Sequence, residues 1–236
     1  MNYTIYFSVC SLFYIIMLLF VMKKQKGKTD TSNKILRSLA TINLVSLIIE
    51  IICTISAINI KSDTLFMEII VRLFLVCLLA WMITFIIYIF TVLYNRKNKS
   101  DFEIKKDRKK ITIISIILFI ISIIMVIILP VEYNFSKIYS YGPAINYVNY
   151  FSDVLLIIAL IYLFSHYNKT NGSKCTPFFA FIAGGVAMSI IQSYDPRLLL
   201  ANTIETFVTY MVYFTLNKDE NLNFKNKAVT NNEKEK

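Results

Sequence analysis

Apolar positions in this chain come in long uninterrupted runs, separated by short polar or basic segments. Seven runs stand out, at about Tyr3–Met22, Ile35–Ile60, Phe66–Tyr94, Ile111–Leu129, Ile145–His166, Pro177–Gln192 and Leu198–Leu216. A hydrocarbon core about 30 Å thick takes roughly 20 apolar helical residues to cross. The third run is long enough for an extra turn outside lipid. The sixth is short and needs a thin local bilayer or protein cover. Only SYDPR (193–197) separates the sixth from the seventh, which predicts a tight hairpin broken at Pro196.

The runs do not alternate in polarity, as barrel strands would over about ten residues. Inside lipid every backbone N–H and C=O must be satisfied within the segment, so helices follow in spite of the isoleucine content. The expected fold class is all-α: a polytopic transmembrane helix bundle of about seven spans over residues 1–216. Residues 217–236 form a polar tail, either disordered alone or the start of a linker helix.

Charge sharpens this picture. The chain of 236 residues is 56% apolar and only 17% charged, yet carries a net charge of +10. An ordinary soluble domain has about 25% charged residues. With the N-terminus outside, segments 23–34, 95–110, 167–176 and 217–236 face the cytoplasm. They hold 20 of the 25 Lys and Arg residues. This matches the excess of basic residues in cytoplasmic loops. The first run has no positive charge before it and KKQKGK (23–28) after it, so it is not a signal peptide. The +10 is thus an orientation signal, and no nucleic-acid partner is expected. The basic block RKNKSDFEIKKDRKK (96–110) suits anionic headgroups.

Ionisable side chains inside spans are costly, and each is by default a functional candidate. There are five: Glu50, Glu68, Arg72, Asp153 and Glu205. Glu68 and Arg72, four apart, share a helix face and can pair. Glu50 lies on a stripe with Asn43, Ser46 and Thr54. Asp153 shares a face with Asn146 and Asn149, and Glu205 shares one with Asn202 and Thr209. The assigned topology puts most of these in the outer half, with Gln192 and Asn202 at the same level. Polar faces on spans two, three, five, six and seven then converge on an outward pocket or form a hydrogen-bond network between helices. The candidate ligand-binding set is Glu50, Glu68, Arg72, Asp153, Gln192, Asn202 and Glu205. Span four, with only Thr112, Ser115 and Ser122 as polar residues, is expected to face lipid.

Tyr133, Tyr139, Tyr141, Tyr147 and Tyr150 crowd the longest outer loop and the start of span five, as an interfacial belt or a lid. FAFIAGGVAM (179–188) offers small residues for close helix contact. Cys10, Cys53, Cys77 and Cys175 show no metal spacing and read as small apolar residues. The single histidine, His166, excludes multi-histidine metal sites. No nucleophile elbow, phosphate loop or dinucleotide fingerprint occurs. No enzyme activity and no cofactor are expected.

The segment IIQSYDPRLLLANTIETFVTYMVYFTLNKDEN (190–221) resembles the end of the multi-span sensory region of membrane histidine kinases from Firmicutes, of the Clostridia type. Gln192, Pro196, the Leu198–Leu200 run, Thr206, Phe207, Tyr213, Phe214 and Thr215 carry the likeness. ILRSLATINLVSLIIEI (35–51) and SYGPAINYVNY (140–150) fit corresponding regions. The family continues into a phosphoacceptor histidine and an ATPase domain, neither of which is in this sequence. Asn217-Lys218-Asp219-Glu220 stands where the family has Glu-Asn-Pro-Asp. The resemblance implies a sensory module of the bacterial cytoplasmic membrane without a catalytic core. It also implies dimers and a cytoplasmic kinase or response partner. The signal would be an extracellular or membrane-borne ligand. The alternative is a small transporter or ion-coupled permease using the same carboxylates, disfavoured by the absence of an internal repeat.

Overall fold

A computed structural model of the chain describes residues 3–24, 31–60, 64–93, 101–134, 139–166, 175–194 and 200–234. Among them are seven helices: α1 (Tyr3–Lys24), α2 (Thr31–Ile60), α3 (Leu65–Leu93), α4 (Asp101–Ile128), α5 (Pro143–His166), α6 (Thr176–Tyr194) and α7 (Ala201–Lys234). The helical-bundle class expected from the apolar runs is the observed one. The boundaries move outward where polar residues extend a helix. α4 begins at Asp101, ten residues ahead of its apolar run, and α7 continues past residue 216 to Lys234.

Local sequence explains the helix starts. The Thr64 hydroxyl accepts a hydrogen bond from the Met67 amide at 3.3 Å, capping α3. α5 begins at Pro143, and Pro177 lies in the first turn of α6, where proline's missing N–H costs nothing. Between α4 and α5 the chain makes a small antiparallel hairpin, β1 (Glu132–Asn134) with β2 (Tyr139–Tyr141). This hairpin is an addition to the all-helical expectation. It falls in the tyrosine-rich loop, where β-favouring residues flank the turn. Gly142 leaves it at φ +115°, and a Cβ there would stand 3.3 Å from the Glu132 amide nitrogen and the Pro130 carbonyl oxygen. A side chain there would be strained by the backbone angle and crowded by these neighbours.

α3 is the central helix, packing on α2, α4 and α5. α7 packs on α1, α2 and α6. The main core joins Trp81, Phe85 and Tyr88 of α3 to Leu47 of α2, Leu163 of α5 and Val208 of α7. Trp81 stacks on Phe85 with ring centroids 5.2 Å apart. Close contact of α6 with α7 depends on Gly184, where a Cβ would come within 2.9 Å of Ile204 Cγ2.

The outside of the bundle is apolar too. Phe13 and Phe20 of α1, Ile114 and Ile121 of α4, and Ile157 and Ile161 of α5 are all exposed. Soluble monomers rarely present continuous apolar surface on this scale. α1 through α5 are each long and apolar enough to cross a membrane, while the apolar stretch of α6 is shorter, at Thr176–Met188. α4 is the least buried of the five. These exteriors mark the chain as a membrane protein.

Candidate ligand-binding site

The polar residues of the helices fall into three sets. At the start of α3, Arg72 pairs with Glu68 at 2.7 Å. The same guanidinium reaches across to the end of α4. It donates to the carbonyls of Val126, of Ile127 at 2.8 Å and of Leu129 at 3.0 Å. The last carbonyls of a helix have no partners within it, and a cation there also offsets the helix dipole. Glu68 and Arg72 therefore clamp α3 to α4, and neither lines the cavity between α3, α5, α6 and α7.

The second set joins α1, α2 and α7. The Ser8 hydroxyl donates to Glu50 Oε1 at 2.8 Å, and Asn202 Nδ2 donates to Glu50 Oε2 at 2.5 Å. The Ser46 hydroxyl donates to Asn202 Oδ1 at 2.8 Å. One turn along, Asn43 Nδ2 donates to Thr206 Oγ1 at 3.1 Å. The Ser11 hydroxyl donates to Thr203 Oγ1 at 3.1 Å. Glu50 is 2% exposed and Asn202 1%. The stripe seen in sequence (Asn43, Ser46, Glu50) faces the α7 stripe of Asn202 and Thr206. The serines of α1 were not anticipated as partners, although their i, i+3 spacing in an otherwise apolar helix places them on one face.

The third set surrounds a cavity of about 510 Å³ between α3, α5, α6 and α7. Glu205 and Asp153 both line it, with Asn149 and Ser152 beside Asp153. Glu205 is 5% exposed, and its Oε2 has no hydrogen-bond partner among the described residues. Asp153 is exposed. Trp81 and Phe181 supply an aromatic wall, their ring centroids 5.5 Å apart. The indole Nε1 of Trp81 is likewise buried without a partner among the described residues. These two rings were missed in sequence, because aromatic residues at helical spacing look like ordinary core.

Of the seven candidates, Asp153 and Glu205 both line the cavity, Glu50 and Asn202 meet in the buried network, and Glu68 and Arg72 form the α3–α4 clamp. They are not gathered into one pocket. Gln192 lies on α6, with its side chain outside the described residues. No group of three or more metal-ligating side chains occurs among the described residues. No protein-family model matches the chain, and no curated protein or solved structure does either.

Proposed function

We propose that the chain is a seven-span sensory module of a bacterial cytoplasmic membrane, with its N-terminus outside and its C-terminus in the cytoplasm. An extracellular or membrane-borne ligand would enter the cavity and change how α7 packs. The observation that carries this reading is the double attachment of α7. Asn202 and Thr206 bind it to α2, while Glu205, one face away, lines the cavity. Occupying the cavity acts on the same two turns that the network holds. α7 then runs on to Lys234 without a proline or glycine. The mechanism is a shift between two packings of the bundle, with the ligand favouring one. The partition of basic residues supports the orientation. The likeness to histidine-kinase sensory regions supports the signalling role and a cytoplasmic kinase or response partner.

The test is a chimera with a kinase core joined after α7. Glu205→Gln and Asp153→Asn should alter the response to signal while membrane insertion stays intact. An unchanged response in a working chimera would sink the proposal.

A further inference from the structure

The cavity between α3, α5, α6 and α7 has a composition that selects among ligands. Among the described residues that line it, two are carboxylic acids, Glu205 and Asp153, and none is basic. Glu205 is more than nine-tenths buried at the edge of the cavity, and its Oε2 lacks a partner among the described residues. Arg72 of α3 is already engaged by Glu68 and the end of α4. A buried acid without a counter-charge is a costly arrangement, and a cationic ligand relieves it.

Apart from Asn149 and Ser152, the rest of the described wall is apolar and aromatic. Trp81 and Phe181 lean together at 40°. Leu78, Met82 and Ile182 complete the surface around them. Ring faces attract cations, and quaternary ammonium groups most characteristically of all. Small inorganic cations need several oxygen ligands at close range, and no group of three or more metal-ligating side chains occurs among the described residues. Acid, ring face and apolar wall together describe the complement of an organic cation. The volume of about 510 Å³ lies within the usual range for small-molecule pockets.

We infer that this cavity is a binding site for a soluble organic ammonium ion with an apolar body, its charge against Glu205 and Asp153 and its body against Trp81 and Phe181. The inference deepens the sensory reading, on which it rests for its biological meaning.

The chain has a single tryptophan, and it stands in the cavity wall, so its fluorescence reports this site alone. The full chain in phosphatidylglycerol nanodiscs would be titrated with benzyltrimethylammonium and with neopentylbenzene, its neutral isostere. A saturable change in Trp81 emission is expected for the cation, with at least tenfold weaker binding of the isostere. Glu205→Gln should weaken the cation at least tenfold and leave the isostere unchanged. Gly185→Leu is a second, independent variant. A Cβ at Gly185 meets nothing within 4 Å, so a side chain there fills the cavity without disturbing α6–α7 contact, and both probes should be lost. Equal binding of the two probes, or cation binding indifferent to Glu205→Gln, overturns the inference. The ammonium headgroup of phosphatidylethanolamine is the other source of such a ligand. Loss of the benzyltrimethylammonium response on adding that lipid to the discs would assign the site to lipid and overturn a soluble occupant. The assay has no signalling readout. Its failure rejects the ammonium class and leaves the sensory reading to the chimera.

Discussion

Glu50 and Glu205 are both carboxylic acids buried in apolar helices, yet their surroundings are opposite. Glu50 has one donor on each oxygen, from Ser8 on α1 and Asn202 on α7. Glu205, at the edge of a cavity, leaves Oε2 without a partner among the described residues. The first acid is used up by the fold and the second is left open. Burial of charge alone therefore does not mark a binding site. What distinguishes the two is whether neighbouring helices have already supplied the hydrogen bonds.

The sharpest way to break this comparison is Asn202→Ala. It strips one donor from Glu50 and the acceptor from Ser46. Leaving buried polar groups unsatisfied costs about 2 kcal/mol. A loss of that order is expected in reversible unfolding from detergent micelles, and no loss would mean that the network contributes little. Gly184→Ala should cost about 1 kcal/mol, at the low end for overpacking. Truncation at Ile204→Ala removes the opposing Cγ2, so the double variant should be less destabilised than the sum of the singles. Glu205→Gln breaks no hydrogen bond at Oε2 and removes an ionisable group from a buried position, so no loss of stability is expected. A stability loss equal to that of Asn202→Ala would erase the distinction between the two acids. The smallest effect belongs to Gly185→Ala, one residue from Gly184. With open space at its Cβ, it should be neutral or gain a few tenths of a kcal/mol from helix propensity. The same unfolding assay distinguishes the two adjacent glycines.

Local features of the fold were legible in the sequence, and features requiring knowledge of helix neighbours were not. Spacing alone paired Glu68 with Arg72 and aligned Asn43, Ser46 and Glu50, because i, i+3 and i+4 neighbours follow from helix geometry. That Arg72 also holds the end of α4, or that Ser8 meets Glu50 across 42 residues, depends on which helices pack together. Runs of apolar residues carry almost no information on that point, since every face of such a helix is apolar. The cavity was hidden for the same reason. Glu205 and Asp153 were visible as polar residues in apolar runs, but Trp81 and Phe181 are typical of any core. The β1–β2 hairpin was obscured by short strands in a loop otherwise read for its aromatic content.

The unbroken course of α7 has a geometric consequence of its own. From Glu205 to Lys234 the helix extends about 44 Å at 1.5 Å per residue. Without proline or glycine, it has none of the usual sites for a sharp bend. It is therefore a lever with its short arm at the cavity. A tilt of about 5° around Glu205 would sweep the far end through about 4 Å, against a helical pitch of about 5.4 Å. A displacement too small to reopen the packing around the cavity becomes, at the other end, large enough to exchange one set of contacts for another.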